Sequence, residues 1–189
     1  VSIDAIGNSA FSGCTALLSY SGDAKKLGKA VFKDCKKLTY IELKNVTELG
    51  EGVFDGCITM DGIRFYSNVK HIPVNAFRNC TSLVYVHFYG TNLESIGNNA
   101  FTGCEKLVTL WLDSKNMPEK VSSNSFDEYH YNSVSLFLHN NKADNYYLYK
   151  HHPVWSKFKD IDYWGLQSNK KIEGIVSEGG RVFVNNETY

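Results

Sequence analysis

Residues Leu93 to Leu112 read LESIGNNAFTGCEKLVTLWL. The stretch places Ile96-Gly97 ahead of Ala100-Phe101, Gly103-Cys104 after them, and then leucines at Leu107, Leu110 and Leu112. The same order recurs along most of the chain. Phe-x-x-Cys occurs five times, at Phe11/Cys14, Phe32/Cys35, Phe54/Cys57, Phe77/Cys80 and Phe101/Cys104. A sixth unit follows at Phe126 without its cysteine, and the phenylalanine spacing lengthens through 21, 22, 23, 24 and 25 residues. All five cysteines share this one frame. Self-similarity at such a period marks a solenoid or an array, so it outranks any element-by-element reading.

Three apolar columns follow each cysteine. Three residues on stand Leu17, Leu38, Met60, Leu83 and Leu107; six on, Tyr20, Ile41, Ile63, Val86 and Leu110; eight on, Gly22, Leu43, Phe65, Phe88 and Leu112. The last two alternate with other residues at period two, which predicts a short strand with one buried face; Leu136 and Leu138 carry them into the sixth unit. A further column, Ile6, Leu27, Leu49, Ile72, Ile96 and Val121, precedes the phenylalanines and is followed by glycine except at Pro73 and Ser122. The residue before each cysteine is Gly13, Asp34, Gly56, Asn79 or Gly103. These types tolerate positive φ, so each unit is expected to be a short helical turn ended by a left-handed residue, then a strand. One such unit buries nothing alone, and stacking must supply the core.

The unit resembles the BspA-type leucine-rich repeats, also called the Treponema pallidum type, and Leu93 to Leu112 match its pattern almost position for position. The resemblance covers about residues 3 to 139. It implies a β-rich α/β fold, a curved right-handed leucine-rich-repeat solenoid of about six repeats of 21–25 residues with a C-terminal cap. It further implies a bacterial cell-surface or secreted protein that binds host proteins. The first unit departs from the pattern with Tyr20 and Gly22 in its strand columns, and the sixth has Tyr129 or His130 near the cysteine slot.

Residues 1–139 are thus expected to form the repeats, 140–166 a capping segment and 167–189 a hairpin or the start of a further module. In the capping segment Ala143, Tyr146 and Tyr147 precede Pro153, and Trp155, Phe158 and Ile161 follow at intervals of three. That pattern predicts a short helix, a proline stop and a second apolar anchor, similar to the Tyr…Trp-x-x-Phe endings of Bacteroides members of the family. The tail, KIEGIVSEGGRVFVNNETY, alternates around Gly179-Gly180 and reads as a hairpin.

Composition narrows the function. Twenty Lys plus Arg balance twenty Asp plus Glu, so the chain lacks the positive field that nucleic-acid binders need, and no nucleic acid is expected. Aromatics at 14% are too many for a disordered chain. No apolar run approaches the roughly 20 residues of a membrane-spanning helix. The opening VSIDAIGNSAF has no basic-then-apolar signal, so an exported form is expected to have lost one.

Candidate functional residues lie between the strand columns, where side chains face out along the concave sheet. They are Tyr40 and Glu42; Arg64 and Tyr66; Tyr85, His87 and Tyr89; Trp111 and Asp113; and Phe137, accompanied by Ser19, Ser21, Lys44, Thr109 and His139. Tyr, Trp and Arg are enriched at binding hot spots, which points to a protein or glycan ligand, a host extracellular-matrix protein among the candidates. The alternative is that cross-strand aromatic pairs merely stabilise the sheet of a passive spacer.

No cofactor and no metal are expected. The cysteines stand a whole coil apart, not at metal-ligand spacing, and equivalent side chains on stacked coils point in parallel, which predicts a buried ladder of free thiols. An unpaired set is unusual in an oxidising compartment and weighs against export. Adjacent His151-His152 point to different faces, and Asp160 with Asp162 lack a calcium loop. Neither a nucleophile with its base nor a phosphate loop is recognisable, so catalysis is not expected.

Overall fold

The computed structural model describes residues 3–66, 68–89, 92–114, 116–139, 143–164, 183–184 and 187–188. Each coil runs through a strand of the long sheet, a two-residue strand, and a tight turn that carries the Phe-x-x-Cys unit. The long sheet is parallel and has seven strands in chain order: Ser19–Gly22, Tyr40–Leu43, Gly62–Phe65, Tyr85–Phe88, Thr109–Leu112, Ser135–His139 and Asp160–Trp164. The seventh strand is an addition to the sequence reading, which treated Ile161 only as an anchor. The pre-phenylalanine column forms two short parallel sheets, Ala5–Ile6 with Lys26–Leu27 and Glu48–Leu49, and His71–Ile72 with Ser95–Ile96 and Lys120–Val121.

The predicted helical turn takes another form. Each Phe-x-x-Cys unit is a run of four-residue turns closed by i+3 to i hydrogen bonds, such as Cys80 N–H to the Phe77 carbonyl (3.1 Å) and Leu83 N–H to the Cys80 carbonyl (3.0 Å). The left-handed residues lie where expected, with φ of 72° at Gly13, 57° at Asp34, 77° at Gly56, 59° at Asn79 and 76° at Gly103. A second left-handed position, two residues before each phenylalanine, holds Ser9, Ala30, Gly52, Asn75 and Asn99. Two reversals per turn aim the phenylalanine inward while the backbone N–H of the same residue reaches the next coil, as in Phe54 N–H to the Ala76 carbonyl (2.9 Å).

Stacking of identical positions builds the core. Phe11, Phe32, Phe54, Phe77, Phe101 and Phe126 form one column of rings, with centroids 5.1 to 5.7 Å apart. Cys35, Cys57, Cys80 and Cys104 are buried, and each thiol donates to the phenylalanine carbonyl of the preceding coil at 3.0–3.1 Å. Cys14 is exposed, which corrects the expectation of a fully buried ladder: no earlier coil covers it among the described residues. In the sixth unit His130 takes over the slot. Its Nδ1 accepts from Asp127 N–H (2.9 Å), so Nε2 carries the proton toward the Cys104 carbonyl (3.0 Å).

Beyond the sixth strand, helix Ala143–His151 and the 3-10 turn Trp155–Lys157 close over the end of the core. Trp155 is fully buried against Phe126, and its indole N–H donates to the Pro118 carbonyl (2.9 Å). His152 is structural: Nδ1 accepts from Val154 N–H (3.1 Å) and Nε2 reaches the Glu119 carbonyl (3.1 Å). The hairpin expected at Gly179-Gly180 lies outside the described residues; farther on, Phe183–Val184 pairs antiparallel with Glu187–Thr188.

One junction between coils is parted. Tyr40–Leu43 and Gly62–Phe65 share the single register pair Leu43↔Phe65, whereas every other neighbouring pair of the long sheet is in register over four or five residues. The same junction separates the two short sheets, between Glu48–Leu49 and His71–Ile72. Pro73 explains the second gap. Gly28 and Gly97 donate to Ile6 and Ile72 at this position of their coils, and proline has no N–H to offer Leu49. On the turn side the junction is closed by Arg78, whose Nε and Nη2 grip the buried Asp55 carboxylate at 3.0 and 2.7 Å.

Candidate functional site

The period-two alternation that buries Ile63, Phe65, Val86, Phe88, Leu110 and Leu112 turns the intervening residues onto the outer face of the long sheet. Parallel register then sets like positions side by side: Arg64 by His87, His87 by Trp111, Trp111 by Phe137. Strands in a sheet lie about 4.8 Å apart, close to the stacking distance of aromatic rings, so the side chains collapse onto one another. Trp111 stacks on Phe137 at 4.5 Å and on His87 at 4.9 Å. His87 stacks on Tyr89 at 3.5 Å, and Tyr89 on Tyr66 at 4.9 Å. The five rings, tilted by only 10° to 26° from their neighbours, form one continuous row.

Of the residues singled out from sequence, Tyr66, His87, Tyr89, Trp111 and Phe137 therefore join in the row. Arg64 lies beside it with its guanidinium 4.6 Å from the Tyr85 ring centre. Asp113 flanks the row half-buried. Tyr40 and Glu42 stand apart on the other side of the parted junction, where Glu42 accepts from the Ser21 hydroxyl (2.6 Å) and faces Lys44 (3.7 Å). Tyr40 and Tyr66 are 57% and 60% exposed, whereas Tyr85, His87, Tyr89, Trp111 and Phe137 are half-buried.

Burial sets the ionisation of the row. Desolvation, helped by the Arg64 charge, pushes His87 down to about 3, so the imidazole is neutral. Burial also holds the Tyr85 and Tyr89 phenols above their ordinary range. The row is thus an uncharged, amphipathic strip: ring carbons packed together, with hydroxyl and ring-nitrogen groups as its polar atoms. Sequence reasoning weighed Asp160 and Asp162 only as a calcium pair and missed their place on the seventh strand, which sets them in register with Ser135 and Phe137; the Ser135 hydroxyl donates to Asp160. The alternation of Asp160, Ile161, Asp162 and Tyr163 was the available signal.

Among the described residues no group of His, Cys, Asp and Glu could hold a metal, and no helix is long and apolar enough to cross a membrane. The profile of the BspA type leucine rich repeat region matches in six copies over residues 1–107 and 25–154. The chain belongs to this family. Leucine-rich repeat proteins are generally non-enzymatic recognition modules. A leucine-rich repeat protein of Treponema pallidum is similar in structure, with 30% identity and a TM-score of 0.54 over 57% of this chain and 51% of that one. A leucine-rich repeat protein of Bacteroides ovatus matches at 28% identity and a TM-score of 0.50 over 58% of this chain and 30% of that one. Aligned regions thus span about half or less of these relatives' own length. A leucine rich cell surface protein of Faecalibacterium prausnitzii aligns at 19% identity with a TM-score of 0.47 over 84% of this chain and 54% of that one. No curated protein matches significantly.

Proposed function

We propose that this BspA-type domain is a non-catalytic recognition module of a bacterial cell surface or secretion, whose concave strand face binds a host or partner protein. The observation that carries the reading is the row of stacked rings from Tyr66 to Phe137. Its ring faces cover one another, so solvent meets ring edges and polar tips. Such a strip is rigid before the partner arrives, and a rigid aromatic surface loses little entropy on binding. A polypeptide lying across the strands would bury the edges and pair its own polar groups with the tips.

The same stacking supports a second reading. Cross-strand aromatic pairs stabilise a sheet by roughly 0.2–1 kcal/mol each, which would suit a passive spacer in a larger surface protein. Binding of the domain to arrayed extracellular-matrix and plasma proteins, beside the Trp111→Ala/Phe137→Ala variant, separates the two. Recognition on the row predicts one retained partner class and at least about thirtyfold weaker binding by the variant, the size of a hot-spot loss. Equal binding by both proteins would move recognition to the loops or tail, and none by either leaves the spacer.

A further inference from the structure

The parted junction opens on the outer face of the long sheet as a pocket of about 120 Å³. Its origin is local. The outward position that holds Tyr40 in one strand and Tyr85 in another is Gly62 in the strand between them. A side chain there is impossible without movement, because a Cβ on Gly62 would come within 2.2 Å of the Tyr85 ring. Tyr85 thus lies over the bare backbone of Gly62, and the pocket is the space left between its ring and Tyr40. Across the gap the two strands share only the Leu43↔Phe65 register pair, and the backbone of Tyr40–Glu42 and Gly62–Ile63 forms the floor.

The walls have a mixed character. Glu42, its carboxylate already held by the Ser21 hydroxyl and Lys44, lines one side of the gap and Asp61 the other, Arg64 stands over Tyr85, and Tyr40 and Tyr66 rise at the rim. Tyr40 has no ring partner among the described residues, and both rim tyrosines are more than half exposed. The volume is far below the roughly 300–1,000 Å³ of a drug-sized site, so it fits one residue-sized group.

Charge decides which group. A cationic side chain would suit the two carboxylates, but it would meet the Arg64 guanidinium, which already occupies a face of Tyr85. An anion would meet Glu42 and Asp61. A neutral polyhydroxyl ring meets neither penalty. Its hydroxyls can donate to carboxylates and carbonyls and accept from a guanidinium, backbone N–H groups and phenols. Its axial C–H face, slightly positive, suits the negative face of an exposed tyrosine. We propose that this pocket is a subsite for one neutral hexopyranose unit of a glycan, seated against Tyr40, with Glu42, Asp61 and Arg64 binding its hydroxyls. The site shares only Tyr66 with the aromatic row and does not depend on the protein-binding reading.

The test is an array of neutral, acidic and basic oligosaccharides, with a parallel array of Lys- and Arg-rich peptides, followed by saturation-transfer NMR on hits. The intact domain should retain a neutral oligosaccharide, with saturation strongest on one hexose unit. Tyr40→Ala should weaken binding at least tenfold while melting like the parent, since the ring is largely exposed. Glu42→Gln should weaken it less. Trp111→Ala/Phe137→Ala should keep the sugar and lose the protein partner, so either reading can fail alone. No retained neutral oligosaccharide, equal binding by Tyr40→Ala, or capture of cationic peptides in place of sugars would each overturn the proposal.

Discussion

Cysteine occupies one slot in successive turns because that slot asks for a small apolar side chain that still carries a donor. The thiol fills the space behind the phenylalanine column and offers its S–H to a carbonyl of the coil before it, at 3.0–3.1 Å. Burial in that slot also pushes the Cys35, Cys57, Cys80 and Cys104 thiols up, which leaves little thiolate to react. Cys14 alone is exposed among the five. A thiol reagent at pH 8 should therefore titrate one thiol per native chain and all five after unfolding; rapid reaction of more than one in the native state would show that the turns open readily. Histidine shows the complementary case. Burial lowers the proton affinity of His130 and pushes His87 down to about 3, whereas both regain their ordinary value near 6.5 when the chain unfolds. Below that pH the unfolded chain binds protons that the folded chain refuses. The stability from these two histidines is complete above about pH 6.5 and is lost as pH falls below it, for His87 toward 3. Urea midpoints at pH 7.5 and pH 4.5 should differ less for His130→Gln than for the parent; an unchanged difference would remove His130 from the account.

At the scale of the coil, the sequence period was enough to place the strands, because each column of like residues becomes a stack of like contacts. Three features escaped it for physical reasons. The second left-handed position holds Ser9, Ala30, Gly52, Asn75 and Asn99, which range over four residue types and so form no visible column. The seventh strand follows a helix, which breaks the phase. The parted junction rests on Gly62 and Pro73, and each reads in one dimension as an ordinary lapse in a repeat. Likewise the outward positions of the candidate site were plain from alternation, but the stacking of Trp111, His87 and Tyr89 depends on neighbouring coils. The junction makes its own demand on stability. With a single register pair in the long sheet and a proline between the short sheets, the Arg78–Asp55 pair holds its turn side. Asp55 is 4% exposed, so Arg78→Ala would strand a buried carboxylate with Lys33, 3.6 Å away, as the remaining cation. The expected loss is about 2–3 kcal/mol by urea denaturation. A loss under about 0.5 kcal/mol would mean that the backbone ladder of Gly52, Phe54 and Gly56 closes the junction unaided.

For the whole molecule, coils that touch only their neighbours make stability a chain of interfaces, and the ends decide where unfolding starts. The two ends differ. At one, Phe11 and Leu17 are only half-buried and Leu18 is 60% exposed. At the other, Phe126 is covered by Trp155 and Phe158, both nearly free of solvent contact. Amide exchange should accordingly be fastest in Ala5–Ile6 and Ser19–Gly22, slowest in the coils around Phe54, Phe77 and Phe101, and slow again through Ser135–His139. Trp155→Ala should cost about 3–5 kcal/mol, the range for emptying a large aromatic site, and should shift fast exchange to the sixth and seventh strands. Removing Leu17 should cost less, because its coil already exchanges with water. If Trp155→Ala instead lowered protection evenly along the chain, the coils would be acting as one cooperative unit, and the ends would have no independent freedom to fray.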